Sequence, residues 1–209
     1  MMINLDLLAY DNETTRRFYP ELQRRVEALP GVRMAALASE LPLMDSRSSR
    51  GPIVKEGEPD PPPNQGVSSE CSFVTPKYFD TLRTRLVLGR DFTDRDDADA
   101  PPVVIINQEF VRRFYGSAEQ ALGKRFRFAP GTPLREIIGI AKDGFYRNLY
   151  EARQLYMFLP VYQQPQTANG VADQRTNGGR FISGGGRRAP LPPSPWCAGP
   201  FAGCRKPTW

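Results

Sequence analysis

The stretch VLGRDFTDRDDADAPPVVIINQEFVRRFY, Val87 to Tyr115, places five aspartates, Asp91, Asp94, Asp96, Asp97 and Asp99, within nine positions. Behind them the chain turns strongly apolar. Val103 to Ile106 is a run of β-branched residues closed off by Pro101 and Pro102, which reads as a buried strand. Phe110 and Phe114, four apart, then share one helix face, and Gly116 stops the helix. A strand leading into a helix makes this a β-α unit, so the aspartates precede a structural element. A calcium loop needs carboxylates at alternating positions, a central glycine and a terminal bidentate glutamate. Here the glycine, Gly89, comes first, Glu109 lies beyond the strand, and Arg90 and Arg95 neutralise part of the cluster. The expectation is therefore a solvated connection whose short acids bond their own backbone and cap turns, with no metal held. Gly89, Phe92, Pro101, Asn107, Phe110, Phe114, Gly123 and Phe126 are the structural frame expected around it.

Working outward, the N-terminal side repeats strands and helices. Alternation in MINLDLLAY, residues 2–10, predicts a half-buried strand. A helix follows with Phe18, Leu22, Val26 and Leu29 on one face. Pro20 either sits in the first turn of a later-starting helix or bends it. Pro30 and Gly31 stop the helix, and RMAALASELPL restarts a strand. Residues 44–65 are loop-rich, with PIVKEG the one short strand expected there. GVSSECSFVT reads as a strand ending at Thr75, which is placed to N-cap a short helix with Pro76 at its first position and Tyr78, Phe79 and Leu82 facing inward. On the C-terminal side GKRFRF, REIIGIAKD and QLYMFLPVY are strand-like. About seven strands and three helices, in β-α-β pieces, give an α+β class with two subdomains.

Composition removes most routes to chemistry. None of the 209 residues is histidine, so the common near-neutral general base, the common zinc ligand and every Ser-His or Cys-His pair are absent. The net charge is +5, but residues 1–162 hold 22 basic against 22 acidic groups, so a C-terminal tail supplies the imbalance. A neutral body gives no electrostatic footprint for nucleic acid. Cys71, Cys197 and Cys204 form neither a disulfide framework nor a metal knuckle, and Cys71 reads as a small apolar core residue. The opening residues lack the basic start and apolar run of a signal peptide, and no run approaches the roughly 20 apolar residues of a membrane span. As written, the chain is expected to be soluble. Asn12 begins a sequon of little weight, and no carboxylate pair or hydroxyl nucleophile stands out. Catalytic, cofactor-binding and metal residues are thus expected to be none. Two other function classes stay open: an adaptor-like interaction protein using the basic, Pro-rich RRAPLPP (Arg187–Pro193), and an aspartate-dependent metal hydrolase.

Three segments, RFYPELQRRVEALPGVRMAALASELPL, FVTPKYFDTLRTRLVLGRDFTDRDDADAPPVVIINQEFVRRFYGSAEQALGKRFRF and REIIGIAKDGFYRNLYEARQLYMFLPVYQ, resemble the MacB-like periplasmic core domain of FtsX-like ABC transporter permeases, most closely the acidobacterial type. The resemblance covers about residues 3–163. Its pieces recur in order: a helix ending Leu-Pro-Gly-Val, a Pro-x-Tyr-Phe helix, a Gly-Arg-x-Phe loop, an Ala-Pro strand leading to Asn and an Arg-Arg-Phe helix, then Leu-Gly-Lys-Arg-Phe. It implies a non-catalytic domain on the outer face of the plasma membrane, between two transmembrane helices. There it couples membrane-helix motion to substrates or partner proteins, while a separate ATP-binding subunit hydrolyses ATP. The implied partners are the permease transmembrane region and that subunit, with no nucleic acid and no small-molecule cofactor.

The chain departs from the family at its ends, with no transmembrane helix before or after the core. From Gln163 onward, eight glycines and seven prolines fall in 47 residues, and neither structural period survives. Such a segment buries too little to offset the entropy of ordering it. The expected division is a core domain over residues 1–163 and a disordered Gly/Pro/Arg-rich tail over 164–209. The tail's composition is that of GC-rich DNA read out of frame, so a product truncated or frameshifted after about residue 170 is expected.

Overall fold

The computed structural model of the chain describes residues 2–3, 12–43, 48–128, 130–146, 148–150, 152–163 and 180–186. In chain order the elements are β1 (Met2–Ile3), α1 (Asn12–Glu27), β2 (Val32–Ala38), β3 (Ser49–Arg50), β4 (Val54–Lys55), β5 (Ser69–Val74), α2 (Tyr78–Leu82), β6 (Leu86–Gly89) and β7 (Val103–Asn107). Then come α3 (Gln108–Phe114), α4 (Ala118–Ala121), β8 (Arg125–Arg127), β9 (Arg135–Ala141), β10 (Tyr156–Pro160), a 3-10 turn (Val161–Gln163) and β11 (Arg180–Gly186). The class is α+β. All these strands join one hydrogen-bonded sheet in the order β1-β11-β2-β5-β10-β7-β9-β8-β4, with β3 also on β5 and β6 also on β9. The subdivision expected from the sequence is therefore not a division between sheets.

The centre of the sheet is β5-β10-β7-β9. β10 runs parallel to β5 and antiparallel to β7, and β7 runs parallel to β9. A parallel pair needs a crossover, and α3 with α4 supplies it between β7 and β9. Every residue of β7 and β10 is buried, because both faces of the sheet are covered. Side chains alternate between the two faces as the pleat demands. Val104, Ile106, Met157 and Leu159 join Phe110, Val111 and Phe126 on one side. Val103, Ile105, Tyr156 and Phe158 join Tyr78, Phe79 and Phe92 on the other.

β9 breaks this alternation once. Val104 pairs with Ile137 and Ile105 with Gly139, so Ile138 is an extra residue, a β-bulge. Ile137 and Ile140 consequently share one face while Ile138 packs on the opposite one.

Several expectations need correction. Leu29 is 55% exposed because α1 ends at Glu27 and the chain has already turned towards Gly31, whose φ is 84°. Pro20 lies in the interior of α1, not in its first turn. Thr75 does not cap α2. It is fully buried, and its hydroxyl accepts from Leu37 N across the sheet at 2.9 Å; Lys77, in the left-handed region, occupies the cap position without a side-chain bond. Phe114 is only partly buried, whereas Phe110 is completely so.

Of the strand expected over residues 2–10, Met2 and Ile3 are β1, and the rest lies outside the described residues. Seven residues of the tail expected to lack order form β11, which pairs with β2 from Phe181↔Ala38 to Gly186↔Val32. Its Gly-rich sequence carries no strand period; what holds it is the backbone edge that β2 offers. The remainder of that tail, Arg187–Pro193 included, lies outside the described residues.

Candidate functional site

The residues that the sequence singles out converge on the connection from Gly89 to Val103. Gly89 pairs with Gly139 at the β9 bulge. A Cβ on Gly89 would sit 2.2 Å from Ile138 O and 2.7 Å from Gly139 Cα, at a φ of 84°. Only glycine fits both the space and the backbone. Arg90 N then donates to Ile138 O at 2.9 Å, which fixes the strand end before the loop leaves.

The loop closes on itself through one acid. Both terminal nitrogens of Arg90 donate to the two Asp96 carboxylate oxygens at 2.8 Å, and Thr93 donates to Asp96 Oδ2 from its backbone at 2.8 Å and its hydroxyl at 3.0 Å. The guanidinium beside it holds the Asp96 carboxyl below the usual range. Asp96 is 6% exposed, so water screens the pair only from the arginine side. Between them Phe92 inserts its ring into the core, 6.5 Å from the Phe79 ring. Asp91 Oδ1 accepts from Phe92 N at 2.6 Å. Burial pushes its carboxyl up to about 6, against the pull of the Phe92 and Lys77 amides. Asp97 Oδ1 accepts from the amides of Asp99 and Ala100, both at 3.0 Å, as a turn-capping acid does. Asp94 and Asp99 are exposed.

The far end is latched by two residues to which the sequence gives no signal as a pair. Gln163 Oε1 accepts from Val103 N at 2.9 Å, and its amide nitrogen donates to Pro101 O at 3.0 Å. Arg135 donates to Gln163 O at 3.1 Å and to its Oε1 at 3.3 Å. Arg135 is 2% exposed, and its guanidinium stands 5.3 Å from the Phe128 ring. Burial lowers its pKa to about 10, which leaves it charged at neutral pH. Pro101 itself is exposed. Their spacing, 28 residues, follows no motif; only the fold joins them.

Asn107 ties the next elements together. Its Oδ1 accepts from Phe110 N, capping α3, and from Tyr156 N at the start of β10, both at 3.1 Å. Its Nδ2 donates to Gln154 O at 2.8 Å. The Phe110 ring stands 4.7 Å from Phe114 and 5.1 Å from Phe126. Gly123 turns the chain into β8 with a φ of 76° and open space around it.

Chemically, this arrangement holds a connection in place. Asp91, Asp96 and Asp97 spend oxygens on backbone amides or Arg90, and among the described residues no group of three or more Cys, Asp or Glu side chains is arranged to hold a metal ion. Anchors at both ends, the bonds from Arg90 N to Ile138 O and from Val103 N to Gln163 Oε1, carry an exposed polar middle.

Comparison with known proteins gives this frame its context. Residues 9–182 match the family model described as the MacB-like periplasmic core domain. The crystal structure of the periplasmic region of MacB from Actinobacillus actinomycetemcomitans is similar over 91% of this chain and 75% of that chain, with a TM-score of 0.55 at 14% identity. The extracellular domain of the noncanonic ABC-type transporter YknZ from Gram-positive bacteria is similar over 86% of this chain and 80% of that chain, with a TM-score of 0.52 at 18% identity. Comparison with curated protein sequences gives no match. At these identities the solved structures share the fold, and the family match covers most of the chain, the Gly89–Val103 connection included. The chain therefore belongs to the MacB-like periplasmic core domain family of ABC transporter permeases.

Proposed function

We propose that the chain is a non-catalytic extracytoplasmic module that couples motion of a permease's membrane helices to substrates or partner proteins outside the membrane. The family match over residues 9–182 carries this reading. Two features of the molecule support it. Three of the five conspicuous acids, Asp91, Asp96 and Asp97, are consumed in positioning a loop, and both faces of the central strands are buried, so the domain moves as a stiff body. Its place is the outer face of the plasma membrane, and its partners are a permease transmembrane region and an ATP-binding subunit. Among the described residues no helix is long and apolar enough to cross a membrane.

The test is photo-crosslinking of the full chain to membranes that contain family permeases, with adducts identified by mass spectrometry. Adducts to a permease or its ATP-binding subunit are expected. Their absence, together with turnover of a phosphate ester, peptide or glycoside that is lost in Asp91→Asn or Asp96→Asn, would replace this reading with an enzymatic one.

A further inference from the structure

β5 changes its edge partner midway along its length. One half is covered by the end of β2: Ser39 N donates to Phe73 O at 2.8 Å, and the Ser72 hydroxyl accepts from Glu40 N at 3.2 Å and donates to Glu40 O at 3.1 Å. The other half is covered by β3 and the residue before it, with Cys71 N donating to Ser48 O at 2.8 Å and Ser49 pairing with Glu70. β5 therefore exchanges one edge partner for the other between adjacent positions, Ser72 bonded to Glu40 and Cys71 bonded to Ser48.

At that gap lies a small chamber lined by Glu40, Ser48, Glu70, Cys71, Tyr146 and Tyr156. It offers about 10 Å³ to the centre of a water-sized sphere, room for one molecule. Glu40 is 7% exposed. Its Oε2 is shielded and accepts no hydrogen bond from any described residue. Among the described residues, the groups facing it bring no compensating cation: Glu70 and Cys71 come from β5, Tyr146 from the segment after β9, and Tyr156 from β10. Arg50 on β3 and Arg135 on β9 act on the Cys71 thiol, while burial alone pushes the Glu40 carboxyl up, to about 7. A carboxylate taken out of water without a partner sheds its charge by keeping its proton.

We propose that this chamber is a proton-binding site, in which Glu40 is an uncharged acid that donates to one trapped water and whose ionisation weakens the seam where β5 changes its edge partner. Ionisation passes the proton to solvent and leaves an unpartnered negative charge beside Glu70. Glu40 itself joins β5, among the described residues, through the Ser72 hydroxyl alone, which accepts from its N and donates to its O, so the seam yields there first. On the extracytoplasmic placement proposed above, the domain would in this way weaken that seam as its surroundings turn alkaline.

The sign of the linkage follows from a folded pKa above the unfolded value of 4.5. Stability from this group is fully present below pH 4.5 and is lost as pH rises through about 7. Urea unfolding of the full chain and of Glu40→Gln at pH 5 to 9 tests it. Between those limits the wild-type unfolding constant should rise about 75-fold relative to Glu40→Gln, out of the roughly 300-fold that a shift from 4.5 to about 7 gives over the whole pH range. Parallel pH profiles for the two proteins would overturn the proposal. Should Glu40→Gln not fold, NMR titration of wild-type chain labelled with ¹³C at the glutamate carboxyls keeps the question open to measurement. One glutamate with a midpoint near 7 is expected, and all midpoints in the ordinary carboxylate range would refute it.

Discussion

At the residue scale, Gly89 and Asp96 carry the reading of the acidic loop, and each makes a separate prediction. Gly89→Ala meets both a left-handed backbone and a backbone oxygen 2.2 Å from its new Cβ. The backbone strain alone is worth about 1–3 kcal/mol, and the overlap adds to it, so the urea midpoint should fall by more than it does for Gly123→Ala, where the space is open. Asp96→Asn removes the charged partner of Arg90 and should cost about 1–3 kcal/mol at neutral pH. Because the folded pKa of Asp96 is depressed, its contribution is present above the unfolded value and fades as pH falls through the folded one. The gap between wild type and Asp96→Asn should therefore close on acidification, as measured by urea unfolding from pH 7 down to pH 3. A constant gap would mean that the ion pair does not shape the loop. The sequence showed that these aspartates lack the spacing of a cation loop. It could not show that one of the five is buried, since nothing in DRDDAD distinguishes Asp96 from its neighbours until Arg90 has been placed by the bulge.

At the scale of elements, the 3.6-residue period located α3 correctly but ranked its two phenylalanines equally. The fold separates them. Phe110 sits under Phe126 in the centre of the helix-covered face, and Phe114 lies at its margin. Phe110→Ala should cost about 3–5 kcal/mol, and Phe114→Ala about 1–2 kcal/mol, since only part of its area leaves water. Equal losses in thermal or urea unfolding would contradict the packing. Asn107→Ala strips the acceptor from the amides of Phe110 and Tyr156 and should cost about 3 kcal/mol, with a buried unsatisfied amide worth about 1–3 kcal/mol. Strands with strong apolar runs, β7, β9 and β10, were legible in the sequence. β6 and β11 were not, because LVLG is half exposed and the glycines of β11 carry no pattern. Both are strands by virtue of the edge they find. Thr75 misled for a related reason: a hydroxyl ahead of a helix resembles a cap, and only the position of β2 reveals that it bonds Leu37 instead.

At the scale of the whole molecule, the family was legible because its pieces sit where the chain must do something unusual. Gly-Arg-x-Phe marks the bulge crossing, the Asp96 clamp and the core anchor in four residues. The Ala-Pro strand leads to Asn107, which joins β7, α3 and β10. The Arg135–Gln163 latch and the Glu40 chamber were invisible, since each unites positions far apart in sequence through the sheet order alone. One sheet, buried on both faces at its middle, is the stiff body on which the permease role depends. Native-state hydrogen exchange on the purified full chain tests it most directly. The amides of Val103–Asn107 and Tyr156–Leu159 should be the slowest to exchange and should open only with global unfolding, while those of Thr93–Ala100 exchange orders of magnitude faster. Exchange of the β7 and β10 amides as fast as that of the loop would contradict the fold and the function argued from it.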